Sequence, residues 1–379
     1  MKYIDEYRDG RVARGIAARI AHEAVAGTEY RFMEFCGGHT HTISRYGIAD
    51  LLPPGVRLIH GPGCPVCVLP VGRVDMAIRL AMRPEVTLCT YGDLMRVPGS
   101  DGNSLLKAKA AGADVRMVYS TLDALRVAEA EPGREVVFLA IGFETTTPPT
   151  ALAVRTATER KLANFSVFCN HVLTPPAIRA ILENPEASGE ACVRLDGFIG
   201  PAHVSTVIGT RPYAVFAAAF AKPVVVSGFE PLDVMQAILM LVRQVNEGRH
   251  EVENQFVRAV TAEGNAKAQE GIAEVFALCE SFEWRGLGAL PHSALRLKDA
   301  YAAFDAERRF ALAPLTGREN PACECGAILR GVKTPAECKL FGTVCTPDTP
   351  MGSCMVSAEG ACAAHWTYGR FRDRVRQAS

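Results

Sequence analysis

Two groups of cysteines are the residues of this chain best suited to chemistry. Six of the thirteen, Cys323, Cys325, Cys338, Cys345, Cys354 and Cys362, fall in one late run, PACECGAILRGVKTPAECKLFGTVCTPDTPMGSCMVSAEGACAAHW. The run is poor in large apolar residues and rich in Gly, Pro and Thr, so it needs cross-links to pack. Thiolates on zinc or on an iron–sulfur cluster would supply them. Six thiols exceed the four that one zinc ion or one cubane requires. Four ligands beside a redox-active pair would account for all six, and would let single electrons reduce a two-electron disulfide.

The second group is Cys36, Cys64 and Cys67, in glycine-rich loops far upstream. Cys36 lies in EFCGGHTHTISRYG. Gly37 and Gly38 allow backbone to approach a ligand, and Thr40 or Thr42 could cap a helix running through Leu51. Amides at a helix start favour an anion such as a thiolate, and His39 adds a proton donor or metal ligand. Cys64 and Cys67 form a CxxC within HGPGCPVCVLPVG. The spacing permits a disulfide or iron ligation. No second CxxC stands nearby to complete a zinc site, since the next cysteine is Cys89, inside an apolar run. Glu144 with Thr145, Thr146 and Thr147 ends a strand-like run before Pro148; the group reads as a polar ligand site or as a helix cap. His171 and His203, and Cys89, Cys169, Cys192 and Cys279 in apolar surroundings, read as structural residues.

The elements that must hold these groups alternate. Short apolar runs (RFMEF, VRLIH, VTLCT, VRMVY, EVVFLAIG, FSVFCN, LDGFIG, PVVVSG) are separated by helical patterns. That alternation predicts an α/β protein with parallel sheets and with loops at the strand ends as the ligand sites. A Glu-Pro-Gly break near 131–134 suggests two similar α/β lobes. The expected division is an N-terminal helix over 1–30, lobe I over 31–131 with the CGGHT and CPVC loops, lobe II over 132–244 with the GFETT loop, and a mostly helical, irregular C-terminal iron–sulfur domain over 245–379. Helical spacing in PLDVMQAILMLVRQVNEG and NQFVRAVTAEGNAKAQEGIAEVFAL, and a short helix over 293–304, support the last.

Composition narrows the class. The formal charge is +0, and no basic stripe carries interleaved aromatics, which argues against nucleic acid as a partner. The start, MKYIDEYRDGRVARGIAARI, lacks the apolar core of a signal peptide, and AVFAAAFAKPVVV is broken by Lys222 and Pro223. No membrane association is expected. Thirteen cysteines in a reducing cytoplasm point to metal or redox chemistry. There is no GxxxxGK[ST] to support a P-loop.

CGGHT at 36–40, GPGCPVC at 61–67, GFETTTP at 142–148 and FGTVCTPDTPMGSCMVSAEGACAA at 341–364 together resemble the HypD family of [NiFe]-hydrogenase maturation proteins. The resemblance implies a cytoplasmic scaffold for the Fe(CN)2CO unit that carries one [4Fe–4S] cluster. It also implies a HypC-type small chaperone and a HypE-type cyanide donor as partners, with the hydrogenase large subunit served indirectly. The family's cysteine pattern lands on Cys323, Cys338, Cys345 and Cys362 as cluster ligands, leaving Cys325 and Cys354 as a redox pair. Cys36 would hold the iron, His39 would orient or protonate a ligand, and Cys64 and Cys67 would relay electrons or thiol exchange. Gly37, Gly38, Thr40, Glu144, Thr145 and Thr146 would face the ligand or a partner. A zinc-stabilised interaction module, a cluster-dependent disulfide reductase and a sheet-top metabolic enzyme are the alternatives; each leaves one group of motifs without a purpose.

Overall fold

A computed structural model describes residues 5–183 and 193–370. Nine parallel strands build two sheets: β1 (Tyr30–Glu34), β2 (Val56–His60), β3 (Val86–Thr90), β4 (Asp114–Met117), β5 (Glu135–Gly142), β6 (Phe165–His171), β7 (Gly197–Pro201), β8 (Val224–Ser227) and β9 (Val252–Asn254). One sheet has the order β2-β1-β7-β8-β9 and the other β4-β3-β5-β6. Parallel strands buried on both faces read as unbroken apolar runs, and β5 and β6 are such strands.

Parallel α/β sheets are therefore present, but their membership differs from the expected lobes. The chain lays down two strands in the first sheet, four in the second, and then returns to the first. β4 and β5, on either side of the boundary expected at 131–134, share one sheet, while β1 pairs with β7 across 165 residues of sequence, Phe32 opposite Gly197. Apolar runs reveal strands, not which strand lies next to which. Gly197 suits that crowded centre, where a Cβ would come 3.0 Å from Pro223 Cγ.

The N-terminal helix spans Gly10–Glu23, capped by Asp9, whose Oδ1 accepts from Arg11 N at 2.7 Å. It buries Ala13, Ala17 and Ile20 against the long helix Pro231–Asn246. Arg243 and Glu23 join the two helices at 2.6 Å, and that guanidinium holds the Glu23 carboxyl down at about 2.

Beyond 245 the structure departs from the helical expectation. β9 completes the first sheet, and the helix that follows it spans Ala266–Val275, begun by the Asn265 cap. Two antiparallel ladders follow, Phe276–Leu278 with Leu295–Leu297 and Ser281–Trp284 with Gly288–Pro291. Gly286 and Gly288, at φ of 81° and 76°, make the tight turn that a helix would not tolerate. The Cys-rich segment is irregular, with single helical turns such as Cys325–Leu329, Ser353–Met355 and Ala361–Ala364. Its Ile328, Leu329 and Met355 belong to the same apolar core as Leu80, Leu88 and Phe198. Among the described residues, no helix is long and apolar enough to cross a membrane.

Candidate functional site

β1 ends at Glu34, and Cys36 follows in extended conformation as the N-cap of the helix Gly37–Tyr46. The double glycine is a packing requirement. A Cβ on Gly37 would lie 2.3 Å from Glu359 Cβ, and one on Gly38 would lie 2.5 Å from Phe229 Cε1. Burial and the charges of Glu359 and Glu34 push the Cys36 thiol well above its usual range, against the pull of the Gly38 and His39 amides. That surrounding favours the thiol over the thiolate at Cys36.

Glu34 organises this turn. Its fully buried carboxylate accepts from Cys36 N at 2.9 Å and from the Thr40 hydroxyl, and lies 2.9 Å from His60 Nδ1. Thr40 and Thr42 are thus not the caps they resembled; Thr42 donates to Phe229 O. His39 is buried with Nε2 within 3.0 and 3.1 Å of the Ser227 and Gly228 carbonyls. Carbonyls only accept, so Nε2 carries the proton and the partnerless Nδ1 presents a lone pair. Burial lowers the pKa of this ring, which favours its neutral form.

Because β1 and β2 are neighbours, the CPVC loop after β2 lies against Cys36. Gly37 N donates to Gly63 O at 3.1 Å, and a Cβ on Gly63 would come 2.3 Å from Cys36 N. Cys64 and Cys67 are joined as a disulfide around the turn Pro65–Val68.

The Cys-rich tail closes over both loops. Its turn Ala361–Ala364, with Cys362, packs on the helix that starts at Cys36, and its turn Ser353–Met355, with Cys354, packs on Pro65–Val68. Ser353 Oγ donates to Cys67 O at 3.0 Å and accepts from Arg285 Nη1 at 2.7 Å. Within the tail, the Cys323 and Cys325 sulfurs are 3.3 Å apart, and Cys325 also bonds Cys362. Met351 N donates to the Cys345 sulfur at 3.4 Å. Cys338 meets the Glu324 carboxylate. Cys325 thus stands in the middle of the group rather than apart from it.

The neighbouring thiols and burial push the Cys323 and Cys362 thiols up, as burial above all does for Cys345. A cationic centre would relieve that repulsion. Among the described residues no three His, Cys, Asp or Glu side chains are arranged to hold one metal ion. The donor set, six thiols of which Cys325, Cys345, Cys354 and Cys362 are buried, is what suits an iron–sulfur centre. Arg285 supports the fit: two of its buried nitrogens, Nε and Nη2, have no hydrogen-bond acceptor, which anionic sulfur would provide.

The GFETT loop turns inward. Glu144 is 4% exposed and accepts from Thr174 N at 2.9 Å and Thr174 Oγ1 at 3.0 Å, capping the helix Thr174–Glu183. Burial raises its carboxyl to about 7. Thr146 and Thr147 donate to Phe143 O, while Thr145 is half-buried. Gly37, Thr40 and Glu144, expected to face a ligand or partner, are instead packed inside, because each has a partner within the protein. Phe143 carries the loop's contact with the site by packing against Trp284.

His171 is buried against Thr150, and His203 packs on Phe229 with the rings tilted at 52°. Cys89 and Cys169 are core residues, Cys279 is half-buried beside the core, and Cys192 lies outside the described residues. Glu34, Arg285, Ser353 and Glu359 were not foreseen. Glu34 had a signal, a carboxylate inside the apolar run RFMEF two residues before Cys36. The others act across long sequence separations and had none.

Fold and site define a class: an α/β protein whose two strand-end cysteine loops are covered by a cysteine-rich tail. Residues 11–369 match the family described as "HypD: Hydrogenase formation hypA family". The chain is 73% identical over 377 residues to the hydrogenase maturation factor HypD of Rhizobium leguminosarum bv. viciae, covering 100% of this chain and 98% of the relative. It is 66% identical to that of Cupriavidus necator, covering 98% of each, and 47% identical to that of Escherichia coli (strain K12), covering 97% and 98%. The chain belongs to the HypD family of hydrogenase maturation factors.

Proposed function

We propose that this maturation factor is the scaffold on which the Fe(CN)2CO group of a [NiFe]-hydrogenase is assembled, with the iron as cargo on Cys36. Thiolate is a suitable ligand for low-spin Fe(II) carrying cyanide and CO. The observation that carries the reading is the meeting of three thiol groups. Gly63, beside Cys64, touches Cys36, Ser353 bonds Cys67, and the Cys362 turn packs on the Cys36 helix.

Each residue has a part. Cys36 gives up its thiol proton as it takes iron, and Glu359, whose carboxyl is held above its usual range by burial, Asp93 and Glu34, is placed to receive it. Glu34 fixes the Cys36 amide, and His39, whose Nδ1 has no hydrogen-bond partner, would orient a ligand beside Cys36. Cys323, Cys338, Cys345 and Cys362 would hold a [4Fe–4S] cluster, which supplies single electrons when bound. Cys64–Cys67, with Cys325 and Cys354, carry thiol–disulfide exchange. A HypC-type chaperone would share the iron, and a HypE-type partner would deliver cyanide, both in the cytoplasm.

The test is iron and acid-labile sulfide in anaerobically purified protein. Cys338→Ala and Cys345→Ala are expected to lose both, because a methyl group cannot replace a thiolate, whereas Cys325→Ala keeps most of them. Equal loss in all three would overturn the division into ligands and redox pair. The Cys64–Cys67 disulfide favours a second reading, a cluster-dependent disulfide reductase. Under that reading, Cys36→Ala would leave hydrogenase maturation intact.

A further inference from the structure

We propose that Arg285 is the cationic partner of the tail's sulfur centre and raises its reduction potential. The inference rests on the reading that these thiols hold an iron–sulfur cluster.

Arg285 lies in the turn after the strand Ser281–Trp284, and its backbone N donates to Val68 O at 2.8 Å. That bond ties the turn to the end of the CPVC segment. The residue is 4% exposed. A guanidinium carries five donors and cannot shed its charge. Here Nη1 donates to Ser353, Nε is 3.2 Å from Glu319 Oε1 without hydrogen-bond geometry, and Nε and Nη2 have no hydrogen-bond acceptor. Burying a cation so poorly matched is costly unless an anion stands nearby. Glu319 is half exposed, so it is a screened counter-charge.

The sulfurs are the remaining candidates. Arg285, Cys323, Cys325 and Gly352 line one cavity of about 870 Å³. A Cβ on Gly352 would come 2.5 Å from both the Cys323 and the Cys325 sulfur, and the next residue, Ser353, holds Nη1. The Gly352–Ser353 segment therefore touches both the thiols and the guanidinium. Through Ser353 the same side chain reaches the Cys67 carbonyl. An electron added to a sulfur-ligated centre makes it more negative. A buried cation or hydrogen-bond donor beside it stabilises that reduced form and shifts the potential upward. Arg285 is a positioning residue: it acts on the centre, not on the cargo.

The experiment is a dye-mediated redox titration of the full-length, cluster-loaded protein, followed by electron paramagnetic resonance, with iron and sulfide measured in each sample. Arg285→Met is expected to shift the reduction equilibrium at least tenfold toward the oxidised form, 59 mV more negative for one electron. Arg285→Lys, which keeps the charge, is expected to recover at least half of that shift. Glu319→Gln, which removes the counter-charge, is expected to move the potential the opposite way. An Arg285→Met protein with a full cluster and an unchanged potential overturns the proposal. Should Arg285→Met fail to fold, Arg285→Gln, which removes the charge but keeps a donor for Ser353, decides, and an unchanged potential there with a full cluster overturns it as well. A parent protein without iron and sulfide would instead remove the underlying cluster reading, so the two failures are distinguishable.

Discussion

The hydroxyl of Ser353 donates to the carbonyl of Cys67 over 3.0 Å, joining residues 286 apart in sequence. Ser353 is fully buried and also accepts from Arg285 Nη1 at 2.7 Å. Ser353→Ala strands both groups, at a cost of about 1–3 kcal/mol for a buried unsatisfied polar group. Urea unfolding of the purified protein is the check. A loss below about 0.5 kcal/mol, the range of an ordinary surface change, would show that the bond does not hold the tail to the CPVC turn.

Cys36 gives a reactivity prediction. Burial, Glu359 and Glu34 push its thiol up, so at neutral pH the iron-free protein holds the less nucleophilic thiol form. Iodoacetamide labelling followed by peptide mapping is expected to modify Cys36 slowly. Glu359→Gln removes the larger of the two repulsive charges and is expected to speed the labelling severalfold. Rapid labelling of Cys36 in the parent protein would contradict the electrostatic account of the site.

Glu144 gives a pH prediction. Burial raises its carboxyl from 4.5 to about 7, so the folded state binds the proton more tightly than the unfolded chain does. The stability this confers is full below about 4.5 and is lost as pH rises toward 7. Its size is on the order of 3 kcal/mol. Glu144→Gln keeps an acceptor for Thr174 N and is expected to flatten stability over that window, leaving the variant at least as stable as the parent at pH 8. Parallel stability–pH curves for the two proteins would show that Glu144 ionises normally.

Much of the framework was legible in the sequence. Runs such as EVVFLAIG and FSVFCN announced parallel strands because both faces of β5 and β6 are buried. Their assignment to sheets was not legible, since nothing in an apolar run specifies that β1 pairs with β7. The helix expected over 293–304 gives way at Leu295–Leu297 to a strand paired with Phe276–Leu278, a long-range pairing that local spacing does not show. The proximity of CGGHT and CPVC comes from the pairing of β1 with β2, which the apolar runs do not announce. Glu359 above Gly37 and Arg285 beside Ser353 depend on how the irregular tail folds back, and spacing carries no trace of that.

The central claim, that Cys36 carries the iron cargo while the tail thiols hold a separate centre, is tested most directly by infrared spectroscopy of Cys36→Ala. The variant is purified anaerobically in complex with its small chaperone, beside the parent. The account predicts that the cyanide and CO stretches seen with the parent vanish, while the brown colour and the acid-labile sulfide of the tail remain. Cyanide and CO bands of parental intensity in Cys36→Ala would contradict it.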